Sequence, residues 1–484
     1  MLKTRAFNAT VWSAIDVFSR QGLQFVISIT LARLLAPADY GLFGIVLLLV
    51  GVAAVFADGG FSAALIQRQD VDRVDESTVF WFNCAAGALV ALLLCAAAPA
   101  IAVFYEQPQL TLLIQLMALN VLFGAFGSIH VSLLTKYLNF RVQILVGFFA
   151  VLISGLIAAW MARHGYGVWA LVAQAITMNA VNTILLWMAS RWRPLLTFSA
   201  ASIRKLFAFG SYYFASTLID SLYTRLYTIP VGKIHGMSVL GYYINADSIQ
   251  QMPSGVLIRV FSRVAFPMFA ATAHDVSKIK RGMQMAIRAM MLINVPVMLG
   301  IAVLAEPIMS AIFGRQWLPS VPILRVLCLA GVLAPIHALN LNCLMAMGHS
   351  RLVFRNELIK KVLGLILLGI GSFFGVMGVA WSIVVLSIFG LALNVRYAHL
   401  FGYGLEAQVR EFLPTLAVGA VMAGLVGWLA MMWQAPDLLK ITGLTVLGAV
   451  VFLSLAVLVR LDALRDVIVL FRNSRDAQEK DRPL

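Results

Sequence analysis

Residues 8–67 read NATVWSAIDVFSRQGLQFVISITLARLLAPADYGLFGIVLLLVGVAAVFADGGFSAALIQ, and the fold is decided here. The run from Trp12 to Leu35 is apolar except for Ser13, Asp16, Arg20 and Gln24. At 100° per residue these four fall within about 80° of one another, a single polar stripe on a helix long enough to cross a bilayer. Pro37 and Gly41 interrupt the helix, and a second apolar run, Leu42 to Ile66, returns across the membrane. Charge inside a membrane span is costly and normally faces a cavity or a partner. The opening pair of helices therefore predicts a protein that encloses a polar path within hydrocarbon.

Composition agrees. Of 484 residues 61% are hydrophobic and 12% charged, with mean hydropathy +0.92, against roughly 25% charged in a soluble domain. The net charge of +15 does not point to nucleic acid. The basic residues sit in short loops between apolar runs, as juxtamembrane residues do, and no nucleic-acid-binding motif accompanies them. Cys84, Cys95, Cys328 and Cys343 lie within apolar runs without metal-ligand spacing and read as small packing residues. No cleavable signal peptide is expected, because the first apolar run is too long and contains Asp16 and Arg20.

The chain reads as an all-α polytopic membrane protein of about fourteen spans: 9–35, 42–66, 78–104, 110–135, 142–162, 166–190, 208–232, 240–270, 284–312, 320–347, 357–374, 376–400, 412–433 and 438–459. An even number places both termini on one side. That side carries 26 of the 36 Lys and Arg, and the other carries five: Arg33, Arg163, Lys233, Arg315 and Lys440. The positive-inside rule makes the termini cytoplasmic. Basic amphipathic segments at Phe198–Phe209 and Arg460–Arg472 suit helices lying on a membrane surface, with a plain linker as the alternative for the first. The last dozen residues are polar and expected to be disordered. No loop is large enough for a soluble catalytic domain, so an enzyme is not expected.

A repeat runs through the chain at an offset of about 200. Phe7, Arg33, Gly41 and Phe43 match Phe207, Lys233, Gly241 and Tyr243. The stripe Ser13, Asp16, Arg20, Gln24 aligns with Tyr213, Ser216, Asp220, Thr224, and Ile129-His130 with Ile336-His337. Units of six spans, an even number, have the same orientation and are related by an axis along the membrane normal. The expected layout is an N-lobe (1–193), a cytoplasmic amphipathic linker (194–209), a C-lobe (210–402), a final helix pair (403–459) and a cytoplasmic tail (460–484), the lobes surrounding a central cavity. Symmetry is broken where Arg20 meets Asp220, and in the eighth span, which is far more polar than the second. There Asp247, Gln251, Ser254 and Ser262 share one helical face, and Pro253 should kink the helix.

The block Ala32-Arg33-Leu34-Leu35-Ala36-Pro37-Ala38-Asp39-Tyr40-Gly41-Leu42-Phe43, with Asp58-Gly59-Gly60-Phe61 and Ala64-Leu65-Ile66-Gln67, closely resembles the polysaccharide-transporter branch of the multidrug/oligosaccharidyl-lipid/polysaccharide exporter superfamily. Within it the chain looks like the flippases of exopolysaccharide and lipopolysaccharide repeat units. Phe313-Gly314 with Trp317, and Ala346-Met347-Gly348, extend the likeness along the chain. The resemblance implies two six-helix lobes, alternating access in a bacterial cytoplasmic membrane, and a polyprenyl-diphosphate-linked oligosaccharide as substrate. Membrane lipids, and other polysaccharide assembly proteins, are its further expected partners. Arg33, Pro37, Asp39, Gly41, Asp58 and Gly59 read as structural members of the motif: a tight periplasmic turn, a helix cap and close helix packing.

A lipid-linked sugar diphosphate needs cations and hydrogen-bond donors at membrane depth, because its head is costly to desolvate. Arg20, Arg225, Arg259 and Arg263 are the candidates for holding the diphosphate, with Gln24 and Gln251 for the glycan. Asp16 and Arg20 stand at i, i+4 and can instead pair within one helix, or Arg20 can pair with Asp220. Asp16, Asp220 and Asp247 are candidates for gating or for coupling to H+ or Na+; otherwise no cofactor is expected. The chain lacks the G-x-x-x-x-G-K-[ST] loop of ATP-hydrolysing motors. The rival readings are a cation-coupled small-molecule or drug antiporter of the same superfamily, and a non-transporting polymerase, ligase or scaffold of polysaccharide assembly.

Overall fold

A computed structural model describes residues 21–466, apart from 69, 273, 398, 399 and 401 and the side chains of 263, 264, 266 and 267. Ser13, Asp16, Arg20 and the tail beyond 466 lie outside the described residues. The described chain is helical, without strands. After α1 (21–34) come α2 (Pro37–Asp58), α3 (Phe61–Gln67), α4 (Arg73–Tyr105), α5 (Gln109–Lys136), α6 (Phe140–Arg163) and α7 (Val168–Ala189). Then follow α8 (Ala200–Thr224), α9 (Thr228–His235), α10 (Met237–Ala271), α11 (Val276–Val303) and α12 (Ala305–Ile308). Past a π-helical and a 3-10 turn, α13 (Val321–Ala346), α14 (Ser350–Ser372), α15 (Gly375–Val395), α16 (Leu405–Met432) and α17 (Asp437–Leu458) complete the order. Ten of the described helices are long and apolar enough to cross a membrane. α8, α10 and α14, richer in polar residues, are not among them.

Local chemistry sets the helix boundaries. α2 starts at Pro37, whose missing N–H costs nothing in a first turn, and Asp39 Oδ2 accepts from the Ala36 amide at 2.9 Å. It stops at Gly59, in the left-handed region with φ 57°, followed by Gly60 at φ 78°. α4 opens on a reciprocal box in which the Asp75 amide donates to Asp72 (2.7 Å) and the Asp72 amide to Asp75 (3.3 Å). Asp275 caps α11 by accepting from the Ser277 and Lys278 amides, each at 3.1 Å. Those amides and the Lys278 ammonium hold its carboxyl below the ordinary aspartate value. Helix α10 continues through Pro253, the proline at which the sequence predicts a kink.

Backbone packing divides the chain into two compact units, residues 1–241 and 242–484. In the first, α4 packs on α5, α6 on α7, and α5 on α7; α2 lies against α4 and α5. In the second, α11 packs on α13, α14 on α15, and α13 on α15. The third-with-fourth, fifth-with-sixth and fourth-with-sixth pairings thus recur, so the repeat legible at an offset of about 200 is also a repeat of packing. Ile129 and Ile336, its matched pair, are both fully buried. α16 docks on α11 and carries α17, pinned by Arg288, whose guanidinium binds Glu411, Asp466 (2.8 Å) and Asp462 (3.5 Å).

The seventh span is discontinuous: α8 ends at Thr224, a turn at Arg225–Tyr227 follows, and α9 resumes. Within the first unit α8 packs against α2, α3 and α4. Residues 190–199, partly overlapping the linker read from sequence at 194–209, form no regular structure and are strapped to the start of α4. The Trp192 indole donates to Glu76 (2.6 Å), the Leu195 amide to Ser77 Oγ (3.0 Å), the Ser199 amide to Thr78 Oγ1 (3.1 Å), and the Trp81 indole to the Leu195 carbonyl (2.8 Å).

Candidate functional site

Each unit offers polar side chains in otherwise apolar helices. In the first unit Gln24 on α1 and Asp220 on α8 are exposed. Arg225 is half-buried at the α8–α9 break, where its carbonyl accepts from the Thr228 amide at 3.0 Å. A helix interrupted in mid-span frees backbone groups that must be met by water, ligand or side chains. In the second unit Asp247 is half-buried, while Gln251 and Arg259 are exposed on α10. Gln251 Nε2 donates to both Asp247 oxygens at 2.8 Å, one turn apart. Arg263 lies in the same helix, its side chain outside the described ones. Ser254 and Ser262, grouped with Asp247 by helical angle, turn elsewhere. Ser254 is buried against Asn294 of α11 (3.4 Å), and Ser262 accepts from Asn342 of α13 (2.8 Å). α10 is half-buried, so a face drawn by angle alone straddles its open and packed sides.

The motif residues occupy the two ends of α2. Arg33 is exposed at the end of α1. Gly41 and its repeat partner Gly241 form a reciprocal crossing inside the first unit. Side chains on them would overlap the backbone of Met237 and of Pro37 respectively, with new Cβ atoms 2.7 Å from each carbonyl carbon. Glycine here permits backbone to meet backbone. At the other end Asp58 accepts from the amides of Gly60 and Ser62 and from Asn83 Nδ2 (3.5 Å).

Beside that carboxylate lies a feature the sequence reading did not gather: a cavity of about 250 Å³ lined by Asp58, Asn83, Asn120, Ser128 and Asn179 together with small apolar residues. Asn83 Nδ2 also donates to Ser128 Oγ at 3.0 Å, and Asn179 Nδ2 donates to Asn120 Oδ1. Asn83 is fully buried, and its Oδ1 has no hydrogen-bond partner. The signal was present but scattered, one asparagine in each of α4, α5 and α7. A second buried polar group follows the repeat: His337 is held by Ser387 and Asn394 at 3.1 Å each, whereas His130 packs edge-on against Trp187 and Trp192.

A family model described as "Polysaccharide biosynthesis protein" matches residues 30–322. The chain belongs to the polysaccharide biosynthesis protein family. That stretch holds the Pro37–Gly41 and Asp58–Gln67 motifs on which the resemblance to the polysaccharide transporters was read. Among curated relatives, the teichuronic acid biosynthesis protein TuaB of Bacillus subtilis is 28% identical, over 77% of this chain and 79% of its own. The succinoglycan biosynthesis transport protein ExoT of Rhizobium meliloti is 28% identical, over 72% and 71%. The lipopolysaccharide biosynthesis protein WzxC of Escherichia coli is 27% identical, over 86% and 85%. Among solved structures, the lipid II flippase MurJ in an inward closed conformation superposes with TM-score 0.77 at 16% identity, covering 95% of this chain and all of that one. An inward-facing multidrug transporter of the MATE family gives 0.59 at 14% identity, over 81% and 98%. These likenesses establish the fold: this family member is a multi-pass, all-α membrane protein of the MurJ and MATE type.

Proposed function

We propose that this polysaccharide biosynthesis protein is a transporter, not an enzyme, that moves polyprenyl-diphosphate-linked oligosaccharide repeat units from the cytoplasmic to the periplasmic leaflet by alternating access. The family match over residues 30–322 carries the reading. Relatives named for teichuronic acid, succinoglycan and lipopolysaccharide assembly give the substrate class. The exposed side chains of Gln24, Gln251 and Arg259 within apolar helices suit an anionic, hydroxyl-rich head, and Asp220 is kept for gating or ion coupling. The arginines bind the diphosphate through planar forks that stay charged at membrane depth. The basic loops put both termini in the cytoplasm of a bacterial inner membrane, and the crossing of Gly41 and Gly241 then lies at the periplasmic end. In this reading the transport lobes are the repeat copies 1–193 and 210–402, followed in the chain by the helix pair 403–459.

The test is a deletion strain whose lipid-linked intermediates are extracted and identified. Undecorated export with no cytoplasmic accumulation of a lipid-linked glycan sinks the proposal. Complementation with Arg259→Gln, at equal expression, is expected to leave the glycan on the cytoplasmic side. Full export by that variant and by Arg20→Gln would remove both arginines from the mechanism.

A further inference from the structure

The cavity beside Asp58 presents a carboxylate without a matching cation among its lining residues: it holds no Lys, Arg or His. It sits where α2 stops, so the partial negative charge of a helix C-terminus points into the same region. Asn83 Oδ1 is an orphaned acceptor at full burial, an arrangement that costs free energy unless a donor or cation meets it. Asn120 Oδ1 and Ser128 Oγ add neutral oxygens on the same wall. A carboxylate with amide and hydroxyl oxygens, and no nitrogen or sulfur ligand, is a set for a hard cation. One negative charge matches one positive charge; a divalent ion would leave an excess charge in apolar surroundings. The space admits an ion together with several waters.

We propose that this cavity is a Na+ site, with Asp58, Asn83 Oδ1, Asn120 Oδ1 and Ser128 Oγ as its protein oxygens. The break at Gly59 and Gly60 makes occupancy consequential. The ion neutralises the last residue of α2 and steadies the turn into α3, and α3 packs on α8. Na+ therefore favours the arrangement of α2, α3 and α8 described here over one in which the turn opens. Neither Asp220 nor Asp247, the acids singled out in the sequence for coupling, is among its lining residues.

Na+ binding is measured without lipid-linked substrate, so its failure leaves the transport reading standing, and failed transport leaves the site standing. The full chain is placed in nanodiscs at pH 8. Binding of 22Na+ and the thermal midpoint are followed in NaCl against choline chloride at equal ionic strength. Saturable binding and a Na+-specific rise in midpoint are expected. Asp58→Asn abolishes both, and Ser128→Ala and Asn83→Ala weaken apparent affinity roughly tenfold or more. Glu106→Gln, an acid of the same unit outside the cavity, leaves both unchanged. Absence of saturable binding in the wild type, or wild-type affinity in Asp58→Asn, overturns the site. A midpoint that follows pH and ignores Na+ also overturns it, in favour of a proton. Should Asp58→Asn fail to fold, wild-type affinity in both Ser128→Ala and Asn83→Ala overturns it instead.

Discussion

Placing a single methyl group on Gly41 tests the crossing of α2 and α10. A Cβ at Gly41 would stand 2.7 Å from the Met237 carbonyl carbon and 3.0 Å from its Cα. One at Gly241 would stand 2.7 Å from the Pro37 carbonyl carbon and 3.2 Å from its Cα. Carbons pack at about 3.5–4.0 Å, so the two backbones must separate by about 1 Å. The obstacle is main chain at the start of two helices, not the end of a flexible side chain. The cost therefore belongs with overpacking, about 2 kcal/mol for either Gly41→Ala or Gly241→Ala. The contact is reciprocal, so a separation that admits one methyl largely admits the other. The double variant should cost about 2–3 kcal/mol rather than about 4. In nanodiscs, at about 2–4 °C per kcal/mol for a cooperative unit of this size, each single variant lowers the midpoint by about 4–8 °C. A change of about 2 kcal/mol is also roughly thirtyfold in the population of the crossed state, so export should fall with it. Single variants within about 0.5 kcal/mol of wild type, or a double variant whose loss is the plain sum, would refute the reasoning.

Three further outcomes follow from particular contacts. Arg288→Met strips Glu411, Asp462 and Asp466 of their shared cation. It should cost about 2–3 kcal/mol, discounted for partial exposure, with partial recovery in Arg288→Met/Glu411→Leu, both read by thermal midpoint. Trp192→Phe leaves the buried Glu76 carboxylate a donor short, which costs about 1–3 kcal/mol; loosening of the strap is measured as faster tryptic cleavage at Arg191 and Arg193. The Glu106 carboxyl is held below its ordinary value of 4.5 by the hydrogen bond from Lys233 and by that ammonium's charge. Stability from this pair is fully present above 4.5 and lost as pH falls through the lower folded value. Glu106→Gln should flatten that part of the acid limb in a pH series of midpoints.

Much of the architecture was written in the sequence because the bilayer leaves few choices: each apolar run must satisfy its own backbone, so it is a helix. Pro37 and the capping carboxylates Asp39, Asp72 and Asp275 mark starts at the residues where helices begin. The break at Arg225 was overlooked although Pro230 marks it: a proline in the first turn of α9 returns no N–H to the residues of the break, and the apolar run continuing to Gly232 masked the signal. The strap at 190–199 was hidden for another reason. Its order comes from Glu76, Ser77 and Thr78, more than a hundred residues upstream, and no local pattern encodes that. The stripe positions Gln24, Asp220 and Gln251 were found by periodicity and lie open. The cavity residues escaped because periodicity finds many polar residues on one helix, whereas Asn83, Asn120 and Asn179 supply one residue from each of three.

The glycines of the motif leave no room for a side chain at either end of α2. At its first turn Gly41 meets the backbone that begins α10. Just past its last turn, Gly60 at the start of α3 meets α8 so closely that a Cβ would lie 3.0 Å from the Gly210 carbonyl carbon and the Phe214 amide nitrogen. Both contacts join α2 to segments from the second copy of the repeat, within the first compact unit. At the glycines themselves the contact is backbone on backbone, without the side-chain interdigitation that locks helices in discrete registers, although Phe56 and Phe214 pack edge-to-face beside the second one. Backbone-to-backbone contact gives close approach with little to unlock, and a helix held so at both ends can be released at one without repacking the other. The alternating access proposed above would draw on that property. A side chain at either end would convert a parting surface into a wedge, which is why Gly41→Ala and Gly60→Ala should damage export more than equally destabilising changes in the interior of α4 or α5.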